Sequence, residues 1–221
     1  MLLSRFIQKT TPYATSLLVK QQYRYFSATV PAMTLISQTI THDHRELENA
    51  YNKILSATTD DEKVRWQNQF TWELARHSIG EELLVYPAFE KNLADGKQMA
   101  DKDRAEHQKV KELLYKFQGL KPSDHEFTTT LQSLWSDLSQ HIKEEEEEDL
   151  VKLESALQQS ESEKLTKSFT RTKKFIPTRS HPDAPDKPPF ETVAGLMAAP
   201  LDHLSDLFRK FPAESKSELP P

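Results

Sequence analysis

"HSIGEE" occupies residues 77–82 and "HIKEEE" residues 141–146. In each, a histidine stands four residues ahead of a glutamate that is followed by another glutamate, and the two histidines lie 64 residues apart. Four residues is close to one α-helical turn, so on a helix each histidine and its glutamate share a face. Spacing alone carries little weight. Eight histidines and 34 acids in 221 residues produce about one His-x-x-x-acid pair by chance. The chain has four such pairs with glutamate, at 42/46, 44/48, 77/81 and 141/145. What decides is the register of these pairs against the surrounding apolar residues.

From 34 to about 160, apolar positions recur at three- and four-residue spacings and predict four helices. The first carries Ile36, Ile40, Leu47, Tyr51 and Ile54, and "SATTDD" breaks it. The second carries Phe70, Leu74, Leu84 and Ala88. "ADG" at 94–96 ends it, with Gly96 expected as its cap. The third carries Met99, Val110, Leu114 and Phe117. "GLKPSD" follows, with Pro122 as breaker and Ser123 or Asp124 as the next N-cap. The fourth carries Leu131, Leu134 and Leu138 and runs to about Leu157. Short loops between neighbours predict an all-α, up-down-up-down four-helix bundle.

Each apolar stripe has a gap. The gaps fall on His44, on His77 and Glu81, on Asp103 and His107, and on His141 and Glu145. Every helix thus points a histidine inward near its middle, and two add a carboxylate one turn on. A carboxylate buried without a partner costs several kcal/mol or is neutralised by a proton. A pair of divalent or trivalent cations makes two carboxylates and four imidazoles tolerable together. A metal-free His–Glu hydrogen-bond network is the alternative. His42 lies off the stripe. Glu48, one turn beyond His44, is a candidate extra ligand or hydrogen-bond acceptor. Glu144 and Glu146 to Asp149 read as a solvated face, and His125, His181 and His203 as surface residues.

Composition agrees. Charged residues make up 29%, hydrophobic ones 36%, and glycine occurs four times, which favours long amphipathic helices. The net charge is −5 with pI about 5.9, and no basic surface for nucleic acid is evident outside the N-terminus. The absence of cysteine excludes disulfides, cysteine-held iron–sulfur clusters and cysteine nucleophiles. Any transition metal must therefore be held by imidazole nitrogen and carboxylate oxygen. The longest apolar run, "VAGLMAAPL", has nine residues, too few to span a bilayer.

The ends differ from the middle. Residues 1–32 contain Arg5, Lys9, Lys20 and Arg24, and the first acid of the chain is Asp43. This composition predicts a mitochondrial presequence, with "RYFS" at 24–27 resembling a matrix-processing site. The alternative is a disordered tail, with Met33 as the start and a cytoplasmic protein. Residues 161–221 form a C-terminal extension. From about 174 it is proline-rich and extended. "ETVAGLMAAPLDHLSDLFRKFP" then predicts two short helices around Pro200, with Leu201, Leu204, Phe208 and Phe211 docking on the bundle or on an unknown protein partner. Residues 213–221 read as disordered.

Four segments in order, "DHRELE" at 43–48, "HSIGEELLVYP" at 77–87, "EHQKVKELL" at 106–114 and "HIKEEEEE" at 141–148, resemble the hemerythrin-like family, also called the HHE cation-binding domain. The stretch from 171 to 208 resembles the tail of fungal members. The resemblance implies a bundle holding two non-haem irons. His44, His77, His107 and His141 would be terminal ligands, and Glu81 and Glu145 would bridge metals about 3.5–4 Å apart. Two departures from the oxygen-carrying members stand out. Those have His-x-x-x-His on the third helix, where this chain has Asp103 four before His107 and Lys111 four after. They also have five steps from histidine to carboxylate on the fourth helix, where Glu145 and Glu146 are both present. A coordination position is then open or oxygen-ligated. This points from simple oxygen carriage toward sensing of iron or oxygen, handling of a small diatomic or peroxide, or iron buffering. Manganese or zinc would also suit these donors. The expectation is a binding or sensing module. Its rivals are a di-iron oxidase, peroxidase or nitric oxide reductase, and a metal-free helical interaction protein.

Overall fold

Ile36, Ile40, His44, Leu47, Ala50 and Ile54 follow one another at three- and four-residue steps, and all six are buried along a single stripe of α1, Ile36–Ser56. The computed structural model describes residues 34–184 and 190–213, with side chains in the second stretch from 198 onward. The predicted presequence at 1–32 and the predicted disordered end beyond 213 lie outside the described residues.

A threonine starts α2, Asp60–Gly80: the Thr59 hydroxyl accepts from the Glu62 N–H, and three acids follow in the first turn, where the helix dipole favours them. α2 does not stop at Gly80. It runs through a π-helical turn, Glu81–Val85, into α3, Tyr86–Asn92. α4 is Gly96–Gly119. α5, Phe127–Glu144, runs in the same way through a π-helical turn, Glu145–Asp149, into α6, Leu150–Ala156. α7 is Gln159–Thr172 and α8 is Phe190–Asp206. α1 packs on α2 and α5, α4 packs on α2, α3 and α5, and α7 lies against α1 and the first π turn. All regular structure among the described residues is helical, and no helix there is long and apolar enough to cross a membrane.

The interior is divided. One apolar cluster gathers Leu47 and Ile54 of α1, Phe70 and Leu74 of α2, Val110 and Phe117 of α4, and Leu131 and Leu138 of α5. The other gathers Ile36 and Ile40, Val85, Tyr86 and Phe89, Ala100, Leu150 and Leu153, and Phe169 of α7. His44, His77 and His107 sit between the two clusters along their own helices, and His141 sits at the end of the first cluster, beside Ile142. The order of the clusters along the chain reverses from α1 to α2, from α2 to α4 and from α4 to α5.

Several expectations are corrected. Leu84 and Ala88 are only half-buried, while Val85, Tyr86 and Phe89 are fully buried. The cause is the π turn: the Tyr86 N–H donates to the Glu81 carbonyl, five residues back, so one extra residue shifts the inward face by one position. Gly96 does not cap the second helix. It opens α4, where a Cβ would meet the Phe89 carbonyl oxygen at 1.9 Å, so close backbone approach is what requires glycine. Neither Ser123 nor Asp124 is the N-cap of α5, which is Glu126; Asp124 instead accepts from the Lys121 N–H within the preceding turn.

The extension also departs from expectation. α7 was not anticipated, because Leu165 and Phe169 are few among its polar residues. α8 passes through Pro200 as one helix. Of the four residues expected to dock, only Phe211 is buried; Leu201 is 68% and Phe208 84% exposed, and Leu204 is exposed too. The opposite, polar face docks instead. Asp202 accepts from the N–H groups of Thr178 and Arg179, and Thr178 donates its hydroxyl hydrogen to Asp206 at 2.6 Å. Ser180 in turn donates to the Lys111 carbonyl of α4.

Candidate metal centre

The helix geometry delivers the six predicted residues, His44, His77, Glu81, His107, His141 and Glu145, to one buried layer. All are 2% exposed or less. Donor atoms of His44, His77, Glu81 and Glu145 lie within 4.8 Å of one another, as do those of Glu81, His107 and His141. Glu81 therefore belongs to both groups. Each glutamate is the first residue of a π turn, and its N–H is shared between two carbonyls of the preceding turn, His77 and Ser78 for Glu81, His141 and Ile142 for Glu145. π turns inside α-helices are found mostly at functional sites.

On one side of the layer, polar atoms face one another without directed hydrogen bonds. Nε2 of His44 and of His77, and both oxygens of Glu81 and of Glu145, have none. The closest approaches are His44 Nε2 to Glu145 at 3.2 Å, His77 Nε2 to Glu81 at 3.2 Å and His107 Nε2 to Glu81 at 3.5 Å. Nε2 of His107 and Nε2 of His141 are 3.0 Å apart, and Tyr86 Oη is 3.0 Å from the former. Buried polar groups are nearly always hydrogen-bonded, so six buried atoms without hydrogen bonds, drawn from His44, His77, Glu81 and Glu145, fit a cation site. The imidazole and carboxylate donors suit a first-row transition metal.

The outward nitrogens form a second pattern. His44 Nδ1 meets Glu146 at 2.8 Å, His77 Nδ1 meets Asp43 at 3.4 Å, His107 Nδ1 meets Glu82 at 3.4 Å and His141 Nδ1 meets Glu106 at 2.9 Å. Each acid stands beside a site residue of its own helix in sequence and reaches the imidazole of another helix. The four contacts close a ring from α1 to α2, to α4, to α5 and back. Each acid also has a cation: Arg45 at 2.5 Å from Glu146, Lys173 on Asp43, Lys111 at 3.0 Å from Glu82 and Lys102 at 3.6 Å from Glu106. Carboxylates behind ligand histidines orient the ring and raise its basicity.

Protonation in the metal-free protein follows from these neighbours. Burial would strip His44 of its proton, but Glu145 and Glu146 beside it hold its pKa up at about 8. Burial would raise Glu145, but His44 brings it down to about 2. Burial pushes His77 down to about 4. Glu81 lies well above the ordinary carboxylate range through burial and the nearby charge of Glu145. Protons thus stand where positive charge is needed, and ligands must shed them to bind metal.

The deciding observation is the family match. Residues 35–153 match the hemerythrin HHE cation binding domain. The chain belongs to the hemerythrin HHE family. A curated relative of this hemerythrin-like chain, an uncharacterized hemerythrin-like protein of Schizosaccharomyces pombe, is 57% identical over 181 residues, which cover 81% of this chain and 89% of its own. No solved structure matches.

Other candidates fall into place around the centre of the hemerythrin-like chain. Asp103 is 1% exposed, its Oδ2 has no hydrogen bond, and it groups with Glu106 and His141. Burial lifts its pKa to about 7. Glu146, expected to be solvated or a ligand, backs His44 instead. Glu48 is exposed and pairs loosely with Arg45 at 3.8 Å, and His42 is exposed. His125 is exposed, but the His203 ring nitrogens are buried. Sequence reasoning missed Asp43, Glu82, Glu106, Tyr86, Lys173 and the two π turns. An acid next to each of four site residues was the available signal.

Proposed function

We propose that this chain holds two irons in a four-helix bundle connected up-down-up-down, and uses them to bind or sense oxygen or a related small molecule, or to buffer iron. The observation that carries this is the convergence of six buried donor atoms lacking hydrogen bonds. Alternation of the two apolar clusters along the chain supports the connectivity. His44 and His77 would hold one metal and His107 and His141 the other, with Glu81 and Glu145 shared between them. Asp103, one turn before His107, would add an oxygen donor on the second side.

The remaining charges fit. Three of the four outer acids pair with a Lys or Arg at 3.0 Å or less, and Glu81, Glu145 and Asp103 are buried acids with no Lys or Arg in contact among the described residues. Iron would supply reversible redox and small-ligand chemistry there. The protein's own part is to fix the imidazoles, exclude water with the two apolar clusters, and hold each Nδ1–H as a donor to its outer carboxylate. A cavity of about 40 Å3 lies beside Glu82 between α2, α4 and the extension, lined by Leu74, Val110, Pro177 and Ser180 among others and by none of the six donor residues.

Anaerobic loading with Fe(II) and metal analysis test the proposal. Two irons per chain are expected, with near loss of both in His77→Ala and in Glu145→Ala and a visible spectrum that changes on exposure to air. Iron content near zero in the wild type, or unchanged in both variants, overturns it. A second reading, a di-iron oxidase, peroxidase or nitric oxide reductase, is favoured by Asp103 standing four residues before His107 where the oxygen-carrying members have a histidine, and turnover of peroxide or nitric oxide by loaded protein would establish it. For residues 1–32 we propose mitochondrial import; microscopy should show a fusion lacking them outside mitochondria, and their retention inside would refute import.

A further inference from the structure

The ring of histidine, carboxylate and cation has one member that the bundle does not supply. Arg45 lies on α1, and Lys102 and Lys111 lie on α4. Lys173 follows α7, beyond residues 35–153 that match the family. It is 8% exposed, and burying an ammonium group is costly unless it is paired. Its partner is Asp43 Oδ2, the same oxygen that faces His77 Nδ1. Asp43 makes its ion pairs with these two groups.

α7 also touches His77 directly. Phe169, fully buried, stands edge-on to the His77 ring with centroids 6.4 Å apart. Lys173 Nζ sits 5.5 Å from the centroid of the same phenyl ring. One face of His77 is thus fixed by an aromatic edge and its outward nitrogen by a charge pair, and both reach it from the same segment.

We propose that α7 is part of the metal centre, with Lys173 acting through Asp43 as a positioning residue that keeps the His77 Nδ1–H pointed outward and Nε2 aimed at the cation. This rests on the metal reading above. Lys173 pairs with Asp43 Oδ2 and so holds that oxygen in place against His77 Nδ1. Without the ammonium group, Asp43 would be a largely buried carboxylate with no cation beside it. It would then turn toward water and leave His77 without its partner.

The test uses full-length protein, cobalt(II) and a competing chelator. Lys173→Met should weaken cobalt binding by about 10–100-fold, the usual effect of losing a partner behind a ligand. Lys174→Met, one residue on and exposed, should leave it unchanged. Asp43→Asn should weaken binding similarly, and adding Lys173→Met to it should cost little more, because the two act as one unit. Nitrogen-15 spectra of the metal-free protein give an independent reading: His77 should carry its hydrogen on Nδ1 in the wild type and shift toward Nε2 in Lys173→Met. If Lys173→Met fails to fold, Asp43→Asn and the wild-type spectrum carry the test. Wild-type protein that takes up no cobalt overturns the metal reading and this inference with it. Tight wild-type binding that Lys173→Met and Asp43→Asn both preserve overturns the role of Lys173 alone.

Discussion

Asp103 is a buried acid beside His141 that costs the metal-free fold stability. Its pKa is lifted by burial from 3.8 to about 7. A carboxyl raised in the folded state binds protons more tightly there than in the unfolded chain, so stability falls as pH rises from about 4 to above 7. In metal-free protein at pH 8, Asp103→Asn should therefore raise stability by about 2 kcal/mol, and at pH 4 it should change little. Urea unfolding at both values checks this. The same variant should lower occupancy of the second metal, so that one substitution helps the apo fold and harms loading. His44, His77, His107 and His141 were legible in the sequence because each fills a gap in an apolar stripe, and helical periodicity is a local property. Asp43, Glu82, Glu106 and Glu146 were not. Each points across to a neighbouring helix, and the rotation that brings it there is set by tertiary packing.

Among the elements, the two π turns explain most of what periodicity misjudged. A 3.6-residue stripe carried past Glu81 lands on Leu84 and Ala88, and the extra residue moves the buried positions to Val85 and Phe89. No local propensity in "EELLV" announces that insertion. Gly80 has ordinary helical angles, so alanine there would gain about 1 kcal/mol of helix propensity. Yet a Cβ would meet the buried Phe169 ring at 2.7 Å, and overpacking of this kind costs roughly 1–3 kcal/mol. Gly80→Ala should thus destabilise the protein by about 1 kcal/mol, and Phe169→Leu should reverse part of that loss in the double variant. Equal or greater stability of Gly80→Ala in guanidinium unfolding would show that α7 yields readily at this point.

For the whole molecule, the polar residues of the extension matter more than its exposed leucines. Asp202, Asp206, Thr178 and Ser180 hold it down, and side-chain hydrogen bonds of this type leave no periodic apolar signal in a sequence. Removing residues 157–221 should strip Phe169 from one apolar cluster and Ser162 from the Ile36 N–H it serves. Loss of a buried phenylalanine side chain alone costs about 3–5 kcal/mol, so the truncated chain should melt well below the full one, as calorimetry would show. The His–Glu layer has a further consequence. It cuts the interior into two hydrophobic lobes, each of modest size, joined across groups that repel or wait for protons when no ion is present. Cooperativity should then depend on loading: in apo protein, amides around Ile40 and Leu153 should exchange hydrogen independently of those around Leu131 and Phe117, and iron should merge them into one unfolding unit. With no cysteine anywhere in the chain, the ion takes the place of a cross-link between segments a hundred residues apart.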